Sequence, residues 1–65
     1  PMTLNEYILR YRLKQAIDKM AESPNSPLSD ISEQVGFSDY KYFAKVFKKY
    51  LHISPKELKL MDKNH

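Results

Sequence analysis

The stretch 31–50 contains the only glycine of this 65-residue chain, Gly36, and that glycine separates two runs with helical periodicity. In the first run, Leu28, Ile31 and Val35 recur at the spacing of one helix face. Glycine readily takes the left-handed conformation that closes a helix C-terminus. The stretch therefore predicts two short helices joined by a turn at Gly36.

The second run, 39–51, divides cleanly into two faces when residues are placed about 100° apart around a helix. The apolar face consists of Phe43, Val46, Phe47 and Tyr50. The opposite face carries three lysines and one small residue, namely Lys41, Lys45, Lys48 and Ala44. Tyr40 lies on one shoulder, whereas Tyr42 and Lys49 lie on the other. We predict that the aromatic face is core and that the lysine face is exposed.

Capping signals set the predicted bounds of four helices, 4–21, 27–35, 39–51 and 55–62. Thr3 with Glu6, and Ser54 with Glu57, have the spacing of capping boxes. Ser26 before Pro27 is typical of an N-cap followed by the first helical position, and Asp39 or Ser38 is expected to cap the third helix.

Phe37 is expected to be buried beneath the turn. The apolar side of the first helix is predicted to comprise Leu4, Ile8, Tyr11, Leu13, Ala16, Ile17 and Met20. No strand signal is present, so the predicted fold class is all-α.

Size and charge narrow the possible classes of protein. A chain this short forms one small domain with a thin core, and without cysteine it has no disulfide or cysteine-based zinc site. Residues 1–39 hold four basic and six acidic residues, whereas residues 40–65 hold seven lysines and two acidic residues. The net charge of +3 is therefore concentrated in the second half, which favours a polyanionic partner.

The residue types needed for catalysis are not arranged as a site. His52 and His65 are 13 positions apart with no obvious carboxylate partner for either. The serines have no neighbouring base, and one glycine cannot build a phosphate loop. We predict no enzyme activity, no metal site and no cofactor. No apolar run approaches the roughly 20 residues that span a bilayer, so a cytoplasmic protein without membrane contact is predicted.

The spacing of the lysines leaves alternatives open. Lysines opposite a core stripe are often only solvated, and they can also dock an acidic protein. A short helix, a glycine turn and a second helix with a basic outer face nevertheless match the helix-turn-helix arrangement, whose second helix enters the DNA major groove. DNA binding is the leading hypothesis, and a module that docks an acidic protein partner is the alternative.

The segment VGFSDYKYFAKVFKKYLHISPKELK resembles the second helix-turn-helix of the AraC/XylS family of bacterial transcription regulators. That family's pattern reads roughly I-A-x-x-V-G-F-S-D-x-S-Y-F-x-x-x-F-K-K-x-x-G-x-S-P-x-x-Y-R. The pattern is met by Ile31, Val35, Gly36, Phe37, Ser38, Asp39, Tyr42, Phe43, Phe47, Lys48, Lys49, Ser54 and Pro55. The first helix is similar to the one that links the family's two units, through Tyr7, Ile8, Arg12, Leu13 and Ala16.

The chain departs from the family pattern at a few positions. Ser32 replaces an alanine, Lys41 replaces a serine, and Leu58-Lys59 replaces Tyr-Arg. His52 replaces the family's usual glycine, where it is expected to need a left-handed conformation. Since Lys41 lies on the predicted outward face, it is expected to alter which sequence is read rather than the fold.

The resemblance implies roles for eight residues. Base edges are expected to face Tyr40, Lys41, Ala44 and Lys45, and sugar-phosphate is expected to contact Ser38, Tyr42, Lys48 and Lys49. It also implies that residues 1–65 are one subdomain of a longer regulator, expected to be an activator that binds promoter DNA in the bacterial nucleoid. Further implied partners are RNA polymerase and a second copy, the latter through a domain that is not in this chain.

Overall fold

Four helices make up the fold, and the computed structural model describes residues 2–63, with side chains as far as Met61. They are α1 (Leu4–Glu22), α2 (Leu28–Gln34), α3 (Tyr40–Leu51) and α4 (Pro55–Lys63). The described residues contain no strand, which confirms the all-α prediction. Each predicted helix bound lies within one residue of the bound in the structure. None of the described helices is long and apolar enough to cross a membrane.

Helix α1 is buried only along its second half. Thr3 caps it, because its hydroxyl oxygen accepts from the Glu6 N–H at 3.1 Å, and the same hydroxyl donates to the Glu6 carboxylate. Leu13, Ala16 and Met20 are core residues. The first half of the predicted apolar side is exposed, namely Leu4, Ile8 and Tyr11. The other helices pack against the second half of α1, so burial of the predicted apolar side is concentrated in that half.

The start of α2 also differs from the prediction. Pro27, not Ser26, is the N-cap residue, and no side chain caps the helix. The Pro27 carbonyl accepts from the N–H groups of Asp30 and Ile31 at 3.1 and 3.2 Å. Ser26 instead offers its own carbonyl to the Lys59 ammonium at 3.1 Å, a contact that ties the loop to α4. Ser32 is buried, and its hydroxyl donates to the Ser29 carbonyl.

Gly36 ends α2 as predicted, and its φ is +101°. The Phe37 N–H donates to the Ser32 carbonyl at 2.9 Å, and the Gly36 N–H donates to the Glu33 carbonyl at 3.1 Å. Those two bonds form the Schellman pattern that satisfies the last carbonyls of a helix. Phe37 is buried, as expected. Its ring meets the Phe43 ring edge-on with centroids 5.2 Å apart, which joins the turn to α3.

Helix α3 is capped at both ends. The Asp39 carboxylate accepts from the Lys41 N–H at 3.0 Å, while His52 closes the helix at φ 63° and ψ 16° and donates its N–H to the Lys48 carbonyl. The left-handed conformation expected of His52 is therefore confirmed. Phe43, Val46 and Phe47 are buried. Their burial fixes which side of α3 faces the core.

Helix α4 begins with a reciprocal capping box. The Glu57 N–H donates to the Ser54 hydroxyl at 3.1 Å, and the Ser54 N–H donates to the Glu57 carboxylate at 3.2 Å. Hydrogen bonds from the Ser54 side chain and then its backbone lower the pKa of Glu57, and the charge of Lys48 lowers it slightly further. Pro55, at the first helical position, is fully buried. The box therefore sets where α4 leaves the turn after α3.

Replacing Gly36 by alanine is expected to lower the free energy of unfolding by about 1–3 kcal/mol, because a side chain is strained at this positive φ. A Cβ atom here also lies 3.1 Å from Arg12 Nε and 3.2 Å from Arg12 Cζ. Thermal unfolding followed by circular dichroism measures the loss.

The crowding by Arg12 can be separated from the strain of the backbone. In an Arg12→Ala background the added methyl no longer meets the guanidinium, so the penalty of Gly36→Ala should be smaller but still present, because the positive φ is unchanged. An equal stability of Gly36→Ala and the parent chain contradicts the assigned role of the turn.

His52→Gly is expected to act in the opposite direction. A left-handed residue with a Cβ costs roughly 1–2 kcal/mol, and glycine removes that strain while adding freedom to the unfolded chain worth about 0.5–1 kcal/mol. The free energy of unfolding should therefore rise by up to about 1.5 kcal/mol. His52→Ala, which keeps the Cβ, serves as the control and should give no gain.

Candidate nucleic-acid interface

The outer face of α3 is a row of exposed lysines held opposite a rigid aromatic core. Lys41, Lys45 and Lys48 are all exposed. Phe43 and Phe47 on the inner side have no exposed surface, and their ring centroids are 5.6 Å apart. Rotating the helix about its axis exposes these rings to water, at a cost of several kcal/mol for two buried aromatic side chains. The lysines are therefore presented in one direction.

The remaining predicted residues of α3 lie beside this row. Ala44 is half-buried and has a small side chain, so the surface at Ala44 is recessed relative to the lysines around it. Tyr40 is half-buried on one shoulder, with its ring centroid 5.9 Å from that of Phe43. Tyr42 is 48 % exposed on the other shoulder, with its ring 6.0 Å from Phe37. Each tyrosine thus has an apolar body on the core and a hydroxyl free to reach a ligand.

Ser38 and Lys49 complete the predicted set at the two ends of the face. Ser38 is exposed in the turn before α3, and Lys49 is exposed in the last turn, with its ammonium 5.5 Å from the centre of the Tyr50 ring. Lys48 and Lys49 also lie near the negative end of the helix, where positive charge is favourable. The structure places all eight predicted residues on α3 or in the turn before it. Their individual contacts with DNA remain predictions.

The lysines of this face form no salt bridge within 4.0 Å among the described side chains, although the charge of Lys48 acts on the Glu57 carboxylate. Among the described side chains the salt bridge within 4.0 Å is between Lys14 and Asp18 on α1, both well exposed. The Asp39 carboxylate is occupied by the N-cap hydrogen bond. The lysines of α3 are therefore available to an external anion.

Arg12 on α1 contacts the turn, and sequence reasoning did not anticipate this. Its Nη1 donates to the Gly36 carbonyl at 3.3 Å, and its guanidinium carbon lies 5.9 Å from the centre of the Phe37 ring. These contacts hold the turn from the side of α1 and so help to set the direction of α3. The partners are 24 positions apart in the chain, so no local pattern could have indicated them.

Metal-ligating side chains are not clustered among the described residues. No group of three or more histidine, aspartate or glutamate side chains in this part of the chain could hold a metal ion. His52 is exposed in its turn, and His65 lies outside the described residues.

Comparison with known proteins agrees with this geometry. A family model described as a helix-turn-helix domain matches residues 1–61. The chain belongs to the AraC-type helix-turn-helix family. It is thus a non-enzymatic DNA-binding domain of the transcription-regulator class. No solved structure matches the chain.

Three bacterial regulators illustrate the similarity of this AraC-type domain to its relatives. The chain is 39 % identical over 56 residues to an uncharacterized transcriptional regulatory protein, YesN, of Bacillus subtilis, covering 85 % of this chain and 15 % of YesN. It is 38 % identical over 58 residues to the Msm operon regulatory protein of Streptococcus mutans, covering 89 % of this chain and 20 % of that protein.

The third relative is the transcriptional regulatory protein HptR of Staphylococcus aureus, 38 % identical over 56 residues, with 86 % of this chain and 21 % of HptR covered. The chain therefore spans no more than about a fifth of the length of these three relatives.

Arg12→Ala is expected to loosen the turn at Gly36 and Phe37. Loss of a weak hydrogen bond and a cation–π contact should lower the free energy of unfolding by about 1 kcal/mol. Hydrogen exchange at the Phe37 amide should accelerate more than exchange in the middle of α1. Lys14→Ala, on the same helix but away from the turn, should leave the Phe37 amide unchanged, and equal effects of the two substitutions contradict the contact.

Proposed function

We propose that this domain binds double-stranded DNA sequence-specifically, with α3 as the recognition helix in the major groove. The observation that carries the proposal is the row Lys41, Lys45 and Lys48, exposed and unpaired, on the side of α3 opposite its buried aromatic residues. A helix is about 10–12 Å wide with its side chains, and the major groove is about 12 Å wide. Lysine can donate to guanine O6 and N7 inside it.

The roles implied by the family resemblance divide these residues into two groups. Lys41 and Lys45, exposed on the outer face, meet base edges together with half-buried Ala44 and Tyr40. Ser38, Tyr42, Lys48 and Lys49 contact sugar-phosphate along the groove. The recessed surface at Ala44 allows close approach, and the flanking lysines provide the charge.

The likeness to longer regulators supports further proposals about the whole protein. Residues 1–65 constitute one helix-turn-helix subdomain of a longer transcription activator that acts on promoter DNA in the bacterial nucleoid, within the cytoplasm. RNA polymerase and a second copy, joined through a domain outside this chain, are its further partners. A single unit makes few phosphate contacts, so its DNA affinity should be low and should fall steeply as salt rises.

Replacing Lys41 and Lys45 together by alanine tests the interface. Both side chains are exposed on a helix and alanine is a good helix former, so stability should change little. DNA affinity, followed by fluorescence anisotropy with a labelled duplex at low salt, should fall by about tenfold or more. The matched control is Lys14→Ala with Lys19→Ala, which removes the same charge from α1.

The outcome also separates DNA binding from the docking of an acidic protein by the same lysine face. If the wild-type chain binds no duplex even at low salt, DNA binding through α3 is wrong. If Lys41→Ala with Lys45→Ala weakens DNA binding no more than the α1 control does, the lysine face serves another partner.

A further inference from the structure

A second basic surface lies beside α3, on the side of the helix that faces away from Tyr42 and Lys49. It is a shallow open groove where the first turn of α2, the first residue of α3 and the first turns of α4 meet. We call it the α4 groove, and it is lined by Leu28, Ser29, Tyr40, Lys56 and Lys59. Its volume is about 390 Å³. None of the eight residues predicted to contact DNA belongs to it except Tyr40.

The lining of the α4 groove is suited to an anion. The lining includes two lysines, Lys56 and Lys59, and two hydroxyl-bearing residues, Ser29 and Tyr40. Leu28 is buried and provides an apolar base. No carboxylate is among the described residues that line the groove, and the charged Glu57 carboxylate bonds to the Ser54 N–H outside this lining.

The Lys59 ammonium is held in place before any ligand arrives. Its Nζ donates to the Ser26 carbonyl at 3.1 Å and leaves two further N–H donors available. Its side chain also lies against a small apolar pocket that Met20, Leu28 and Ile31 help to line. An ammonium fixed in this way loses less side-chain entropy on binding than a free surface lysine does. Lys56, by contrast, is exposed at the edge of the groove.

The position of the groove relative to α3 suggests what it binds. A helix seated in the major groove has a sugar-phosphate wall on each side, because its width nearly equals that of the groove. Tyr42 and Lys49 lie toward one wall. Tyr40, one residue before Lys41, lies toward the other wall and is shared by the α4 groove. A duplex that receives α3 therefore places its second phosphate strand beside Lys56 and Lys59.

We propose that the α4 groove binds the phosphate backbone of the strand opposite the one that Tyr42 and Lys49 face, with Lys56 and Lys59 as its phosphate ligands. This inference rests on the proposed placement of α3 in the major groove. The groove then adds a second row of backbone contacts, which fixes the tilt of α3 rather than reading bases.

The salt dependence of DNA affinity tests the α4 groove. Affinity of the 65-residue chain for a mixed-sequence duplex is measured between about 50 and 200 mM salt, and each lost phosphate contact should reduce the slope of log affinity against log salt by about 0.9. We expect a reduction of about 0.9 for Lys56→Gln and about 1.8 for Lys56→Gln with Lys59→Gln. Replacing both lysines by arginine should keep the wild-type slope.

The controls separate this inference from the function on which it rests. Lys14→Gln removes one charge from α1, outside the α4 groove, and should leave the slope nearly unchanged. Thermal unfolding of each variant checks for structural damage from losing the Lys59–Ser26 bond. Lys56 does not take part in the Lys59–Ser26 bond, so Lys56→Gln leaves that bond intact. This single variant therefore tests the groove even if the double variant is less stable. A Lys56→Gln slope equal to that of Lys14→Gln overturns the inference alone, provided that Lys41→Ala with Lys45→Ala still weakens binding. Absence of any wild-type binding overturns both proposals.

Discussion

The contact between Phe43 and Phe47 on the inner side of α3 is the constraint on which the remaining structure depends. Both rings are completely buried, and Phe43 also meets Phe37 from the turn. A 65-residue chain has a thin core, so complete burial of two large aromatic side chains is a major contribution to that core. Their burial sets the rotation of α3 and, as a consequence, the direction of every lysine on its outer side.

Once the rotation of α3 is set, the angle between α3 and α2 is still free. The turn between the two helices sets that angle. Gly36 provides the backbone conformation, Phe37 anchors the turn to the core, and Arg12 holds it from α1. Gly36 and Phe37 are neighbours in the turn, whereas Arg12 reaches them from α1, 24 positions earlier than Gly36. A weak hydrogen bond of 3.3 Å is effective here because the backbone at Gly36 is already restricted by the Schellman bonds of the turn.

Local patterns predicted most of the helices because their causes are local. Asp39 and Ser54 cap helices by bonds that span two or three residues, and the two faces of α3 follow from helix geometry. The contacts that sequence reasoning missed join distant positions, such as Lys59 with Ser26 and Arg12 with Gly36. The apolar side of α1 was predicted, but the exposure of its first half could not be, since periodicity identifies an apolar side but not what covers it. The candidate interface was predictable as a face, whereas the α4 groove exists only through the meeting of three helices.

The two faces of α3 allow stability and recognition to change independently. Substitutions on the inner face alter packing around Phe43 and Phe47, whereas substitutions at Lys41 or Lys45 leave that packing untouched. Some departures from the AraC-type pattern affect stability, and others lie on the face proposed to recognise DNA. His52 carries backbone strain in a position where the family uses glycine, and its effect is on stability. Lys41 replaces a serine on the outer face, and under the proposed function its effect is on which bases are preferred. Under the proposed function, such a domain can change which bases it prefers through Lys41 and Lys45 with little loss of stability, because both side chains are exposed and contribute little to the core.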